Sequence, residues 1–127
     1  MFSRGSPGVT WVTDTHSIRN LRKKGRLFRG KSVYAWISRK EAESPGEPHV
    51  SVVTGRGFAL STSRNLARRR VRGCILDLRQ FLEEGNCYLV ECRPGVECEN
   101  YQILVNEVRG ILSKAGKTEK KETAGYG

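Results

Sequence analysis

The apolar positions of the chain fall into short runs, separated by polar turns that contain glycine or proline. Three of these runs are rich in β-branched and aromatic residues, which is typical of strands. They predict strands at 32–37, 49–54 and 87–92. A weaker pattern of the same kind at 26–29 is compatible with a fourth strand.

Helical spacing of apolar residues predicts three helices around these strands. The first spans 14–24, the second 61–84, and the third 101–113 or one residue earlier. Side chains that can cap a helix start precede the first two. The candidate caps are Thr13, Asp14 and Thr15 for the first helix, and Ser61, Thr62 and Ser63 for the second. One face of the second helix is apolar and predicts packing on a sheet; it carries Ala67, Val71, Cys74, Ile75, Leu78 and Leu82.

A chain of 127 residues fits one domain, which we assign to 14–113. Residues 1–13 contain glycine and proline without any period, so we expect a flexible leader there. Residues 114–127 consist mainly of Lys, Glu, Thr and Gly, so we expect a disordered tail.

The positive charge of the chain is concentrated before residue 83. Lys and Arg number 23 against 13 Asp and Glu, for a net charge of +10. Residues 1–82 hold 17 basic and 5 acidic side chains, whereas 83–127 hold 6 and 8. Such an asymmetry indicates a partner rich in phosphates rather than a small neutral metabolite.

Several classes of protein are not expected from this sequence. There is no run of about 18 apolar residues to cross a membrane, and the first eight residues lack the apolar core of a secretory signal. The four cysteines form no CxxC pair, and both histidines lie far from them in sequence, so we predict no metal site. We expect reduced thiols and a cytoplasmic protein.

Five arginines lie within nine residues of the second helix. A solvated helix face is the alternative reading, but such faces usually mix charges of both signs, and the next acidic residue is Asp77. Arginine suits phosphate because its planar fork donates two hydrogen bonds at once. On the helical wheel, one arc carries Asn65, Arg68, Arg69, Arg72 and Arg79. Arg70 lies outside this arc, and exposure to solvent is sufficient to explain its charge.

The segment 64–72 resembles the arginine motif of the bacterial ribonuclease P protein family. The similarity covers about 15–114, where further stretches follow in the family's order and spacing: 18–26, 33–37, 50–56 and 85–94. The chain departs from the family at Leu66, which replaces an arginine of the motif, and in the lead-in at 59–63. It also departs at Ile18 and Arg22, where the family often has aromatic residues.

The resemblance implies an α+β fold, a compact α-β-β-β-α-β-α two-layer sandwich. Its four-stranded sheet would carry the helices on one face, and its β-α-β crossover would be left-handed, against the usual right-handed sense.

The resemblance also implies a function, that of the protein subunit of ribonuclease P. The partners would be the catalytic RNA subunit and precursor tRNA, whose 5′ leader is removed, with no membrane and no obligate protein partner. Mg²⁺ would be bound mainly by the RNA, because it prefers hard oxygen ligands. No catalytic and no metal-binding residue is assigned to the protein. RNA binding is assigned to Arg64, Asn65, Arg68, Arg69 and Arg72, and a leader cleft to Ile18, Arg22, Tyr34, Trp36 and Arg56.

Three other functions remain as alternatives at this point. A structural RNA-binding protein of ribosomal type would share the salt-dependent affinity for RNA. A DNA-binding module would place the arginine helix in a major groove, but no helix-turn-helix pattern precedes residue 61. A stand-alone nuclease would need a cluster of catalytic groups, which the sequence does not suggest.

Overall fold

The computed structural model describes residues 8–39 and 46–126. The chain contains five strands, three α-helices and two short 3-10 helices in its described part. The 3-10 helices span Arg79–Phe81 and Val96–Cys98. The strands are β1 (Thr10–Trp11), β2 (Arg26–Arg29), β3 (Val33–Arg39), β4 (His49–Thr54) and β5 (Asn86–Cys92). The helices are α1 (Thr15–Lys24), α2 (Ser61–Asp77) and α3 (Tyr101–Tyr126).

The five strands form one mixed sheet in the order β1-β4-β5-β3-β2. The pairs β1·β4 and β4·β5 are parallel, and β5·β3 and β3·β2 are antiparallel. The parallel pair β4·β5 is joined through α2, which is the crossover connection that the resemblance implies; its left-handed sense stays a prediction. The α+β class is confirmed, with a fifth strand at the sheet edge.

One face of the sheet carries the main hydrophobic core, because alternate residues of each strand point to the same side. Val33, Ala35 and Ile37 of β3 are buried on this face. Val71 and Ile75 of α2 lie in the same core cluster. The opposing side chains of α3 complete it and are Leu104, Val108, Ile111 and Leu112.

Helix α1 lies on the other face of the sheet, which corrects the expectation that all helices share one face. Trp36 alternates with the core residues of β3, and the Arg22 guanidinium carbon of α1 lies 5.4 Å from the centre of its ring. Leu89 of β5 pairs with Trp36 on this face and is fully buried. None of the α1 side chains is fully buried, so α1 covers this face more loosely than α2 and α3 cover the core.

The ends of several elements differ from the prediction. Asp14 caps α1 by accepting a hydrogen bond from the Ser17 amide at 2.7 Å, and 49–54 forms a strand; both were predicted. However, α2 begins after Leu60 without a side-chain cap and stops at Asp77.

No helix in the described part of the chain is long and apolar enough to span a bilayer.

The described elements extend beyond both boundaries of the predicted domain. Val9 is buried and 10–11 pairs with β4, so the segment after residue 8 belongs to the domain rather than to a leader; residues 1–7 lie outside the described part. Helix α3 continues through the predicted tail to Tyr126. Its start is capped by Asn100, whose side-chain oxygen accepts hydrogen bonds from the Gln102 and Ile103 amides.

Two buried thiols make the stability of the fold sensitive to alkaline pH. Burial raises the pKa of Cys74 to about 11 and that of Cys92 to about 12. In the unfolded chain these thiols ionise at their ordinary pKa of about 8.5. Their contribution to the free energy of unfolding is therefore complete below about pH 8 and is lost as the pH rises toward 12. At pH 10, the free energy of unfolding is lower by about 2 kcal/mol for each thiol.

Urea unfolding at pH 8 and pH 10 measures this loss. We expect Cys92→Ala to reduce the pH dependence, since it removes one titrating group. Cys98→Ala serves as the control, because Cys98 is exposed. An equal pH dependence in the wild type and in Cys92→Ala would contradict the assignment.

Candidate nucleic-acid interface

The arginine motif forms a cationic depression on the outer surface of α2, with a volume of about 540 Å³. Four of the five predicted RNA-binding residues line it together. None of the described residues that line it is acidic. The lining consists of Thr62, Asn65, Leu66, Arg68, Arg69 and Arg72. We call this surface the α2 depression. Arg64 is half-buried near the start of α2 and lies outside this lining.

Two of these arginines are held in place by neighbours. Arg68 donates a hydrogen bond to the Asn65 side-chain oxygen and lies 3.5 Å from Thr54 Oγ1. The Arg72 guanidinium carbon lies 5.7 Å from the centre of the Trp11 ring, within the range of a cation–π contact. Asn65 therefore orients an arginine, and Trp11 of the unpredicted strand β1 orients another.

Arg79 does not extend the arginine arc, although the helical wheel placed it there. Helix α2 ends at Asp77, and Arg79 belongs to the 3-10 helix that follows. Its guanidinium donates to the Leu76 carbonyl oxygen at 2.6 Å. The arc ends at Arg72 because the helix on which the wheel was drawn is shorter than predicted.

Arg70 is a structural residue, which corrects the expectation that it is merely solvated. It is half-buried and donates a hydrogen bond to the Glu99 carbonyl oxygen just before α3. Its guanidinium carbon lies 5.9 Å from the centre of the Tyr101 ring. The Tyr101 hydroxyl in turn donates to Asp77 at 2.7 Å. Arg70 thus ties α2 to the start of α3.

The neighbouring arginines Arg69 and Arg70 should therefore respond differently to replacement by alanine. We expect Arg70→Ala to lower the free energy of unfolding by about 1 to 3 kcal/mol, because it leaves a carbonyl group without its donor. Arg69 is exposed, so Arg69→Ala should change stability by less than about 0.5 kcal/mol. Urea denaturation of both variants measures the difference, and equal losses of stability would contradict these roles.

A second cationic surface lies on the α1 side of the sheet, where four predicted leader-cleft residues meet. Trp36 and Tyr34 present their rings on this face, two residues apart on β3. Arg22 lies over Trp36, and Arg93 lies over Tyr34 with a guanidinium carbon to ring centre distance of 4.7 Å. Arg56 lines the adjacent cavity of about 470 Å³. We call this arrangement the α1-side cleft.

Ile18 is the fifth predicted cleft residue and lies one turn before Arg22 on α1, where it is half-buried. It does not line the cavity beside Arg56. A separate cavity of about 310 Å³ opens on the opposite side of α1, between Leu21 and Lys24 on the helix and Ser51 and Cys87 on the sheet.

Sequence reasoning missed Glu91 and Arg93 in the cleft. The Glu91 carboxylate accepts from Arg22 Nη2 at 3.0 Å and from Arg93 Nη1 at 2.6 Å, and the residue is buried. Strand alternation places Glu91 on the same face as Trp36, which is the signal that could have identified it.

The chemistry of both surfaces is that of binding. Guanidinium groups donate hydrogen bonds and do not give up a proton near neutral pH, while the aromatic rings of the α1-side cleft offer faces for stacking. Among the described residues, no group of three His, Cys, Asp or Glu side chains could hold a metal ion. The α2 depression therefore suits a polyanion, and the α1-side cleft suits a polyanion that carries flat rings.

Comparison with known proteins identifies similar chains. A family model described as Ribonuclease P matches residues 10–116. The ribonuclease P protein component of Lactiplantibacillus plantarum is 32% identical over 77 residues, which cover 59% of this chain. The aligned region spans 64% of the length of that relative.

Solved structures share the architecture. The RNase P protein of Staphylococcus aureus superposes with a TM-score of 0.70 at 12% identity, covering 83% of this chain and 94% of that one. The RNase P protein of Thermotoga maritima gives a TM-score of 0.64 at 15% identity, covering 76% of this chain and 88% of that one. At these identities, the likeness concerns the fold.

Proposed function

The chain belongs to the ribonuclease P protein family, and on that premise we propose that it is the protein subunit of ribonuclease P. In this role it binds the catalytic RNA subunit and the 5′ leader of precursor tRNA, and so assists removal of the leader. The α2 depression is the observation that carries the proposal, because it presents three guanidinium groups without a lining carboxylate.

The α2 depression suits the structured RNA subunit. Phosphates of folded RNA approach one another closely, and an arginine fork can donate to two oxygens of one phosphate. Asn65 and Trp11 hold Arg68 and Arg72 before any ligand arrives. Because these side chains are already ordered, they lose less conformational entropy on binding.

The α1-side cleft suits the single-stranded leader. Its arginines can contact the phosphate backbone, and its planar groups can stack on unpaired bases. It lies on the face of the sheet opposite α2 and α3, so one protein can bind folded RNA and a single strand on separate surfaces.

We assign the hydrolytic chemistry to the RNA, with Mg²⁺ bound mainly by RNA oxygens. The surfaces of the protein supply donors and stacking faces, so its contribution is to bind and orient. We place the protein in the cytoplasm, in keeping with four cysteines that are all free thiols. The proposal requires no further protein partner.

Cleavage of precursor tRNA by a bacterial ribonuclease P RNA at low Mg²⁺, with and without this protein, tests the proposal. We expect the protein to stimulate cleavage at the correct 5′ end and to tighten binding of precursor over mature tRNA. RNA binding without stimulation, with a cognate RNA subunit, would contradict the proposal and favour a structural RNA-binding protein.

A further inference from the structure

Glu91 places a carboxylate within a cleft that is otherwise cationic. It is one of the described residues that line the cavity beside Arg22, Arg56 and Arg93. A negative charge at this position repels a phosphate ligand. A carboxylate that repels the ligand must contribute to binding in another way, and its contacts with Arg22 and Arg93 indicate how.

The Glu91 carboxylate joins two arginines that come from different elements. Oε1 accepts from Arg22 on α1, and Oε2 accepts from Arg93 beyond the end of β5. The Glu91 side chain is 11% exposed, while those of Arg22 and Arg93 are 43% and 33% exposed. The carboxylate is therefore the buried centre of the arrangement, and both guanidinium groups keep a surface that a ligand can reach.

The same two contacts hold each guanidinium over an aromatic ring. The guanidinium of Arg22 is placed over Trp36 and that of Arg93 over Tyr34. Each arginine donates one hydrogen bond to Glu91, and a guanidinium has five N–H groups in all. Further donors on each group are thus left for an incoming phosphate.

The backbone leaves room for this arrangement only because residue 55 is glycine. A Cβ at Gly55 would lie 2.5 Å from Glu91 Oε2 and 2.8 Å from Arg93 Nη1. Both distances are shorter than van der Waals contact allows, so a larger residue would displace the carboxylate or the guanidinium. The end of β4 and the two arginines are fitted closely around Glu91.

We propose that Glu91 is a positioning residue, which holds Arg22 and Arg93 over Trp36 and Tyr34 so that they bind the single-stranded leader. This role rests on the proposed function. The planar guanidinium groups then offer a stacking face and phosphate donors at fixed places, and the ordering of two long side chains is complete before the leader binds.

Glu91→Gln tests the role in the complex with the RNA subunit. The readout is the ratio of the affinities for precursor tRNA with a short leader and for mature tRNA. We expect Glu91→Gln to lower this preference by about fivefold to tenfold. Glu84→Gln is the matched control, because Glu84 is exposed and loses the same charge; it should leave the preference unchanged.

Two results for Glu91→Gln would overturn the role. Tighter binding of both RNAs, with the preference kept, would show that Glu91 acts only as a repelling charge. An unchanged preference together with a lower melting temperature would show that it acts only on stability. A wild-type complex that shows no preference for the leader would refute the proposed function itself, before any variant is measured.

Arg22→Lys provides a second test that leaves the buried carboxylate in place. Lysine keeps the charge but lacks the planar group, so the preference should fall about as far as in Glu91→Gln. The double variant should lose little more than either single variant, because both changes disrupt one arrangement. If Glu91→Gln does not fold, Arg22→Lys decides alone, and full retention of the preference would overturn the role.

Discussion

Replacing both Arg68 and Arg72 with alanine is expected to weaken binding to the ribonuclease P RNA subunit by about 100-fold. Each arginine can make a charge-assisted hydrogen bond to a phosphate, and loss of such a bond costs about 1.5 kcal/mol or more. The two side chains line one depression without a carboxylate among its lining residues. Their loss should therefore act on the same RNA contact.

The salt dependence of binding gives a second measure of this effect. The logarithm of the binding constant falls linearly with the logarithm of the salt concentration, with a slope set by the number of phosphates neutralised. Loss of two contacts should reduce the slope by about 1.5. Filter binding or fluorescence titration across a range of KCl concentrations measures both quantities.

A charge-matched control separates this contact from general attraction. Arg19 and Lys23 are exposed on α1, and helical periodicity places them on its side away from the sheet. Replacing both of them with alanine also removes two positive charges, and it should weaken binding by less than about fivefold. Similar losses of affinity and slope in both double variants would show that the α2 depression is no specific RNA contact.

The second large effect is expected from Leu89→Ala, which should lower the free energy of unfolding by about 2 to 5 kcal/mol. Leu89 is fully buried in the central strand β5, on the face of the sheet that α1 covers. None of the α1 side chains is fully buried. The cavity left by the truncation should therefore weaken the packing of α1 on the sheet.

Thermal and urea unfolding measure the loss, and Leu60→Ala provides the control. Leu60 is 61% exposed, so the same truncation there should change stability by less than about 0.5 kcal/mol. We also expect Leu89→Ala to reduce the preference for leader-containing tRNA at temperatures where the domain is still folded. A wild-type melting temperature for Leu89→Ala would show that α1 does not depend on this contact.

Local sequence patterns predict most of the secondary structure and the main cationic surface. Strand 49–54 and the cap at Asp14 follow from local patterns, because β-branched runs and capping side chains act over a few residues. The apolar face of α2 and the arginines beside it follow from helical period alone. The resemblance to the family rests on the same arginines together with the order and spacing of the flanking segments.

The roles of the individual charged residues depend on how the helices and strands pack together. Arg70 and Arg69 are neighbours in the sequence, yet Arg70 contacts the start of α3, and nothing in a helical wheel shows where α3 begins. Strand β1 has two residues, so its pairing with β4 depends on a partner 39 residues away rather than on its own propensity.

The α1-side cleft shows the same limit most clearly. Arg22, Glu91 and Arg93 belong to α1, β5 and the turn after it, and the face of the sheet on which α1 packs brings them together. That choice of face depends on the packing of α1 over Leu89 and Trp36, which are paired on two neighbouring strands, and so on long-range contacts. Local patterns predict the elements, whereas the charged groups that meet in a cleft are set by how those elements pack.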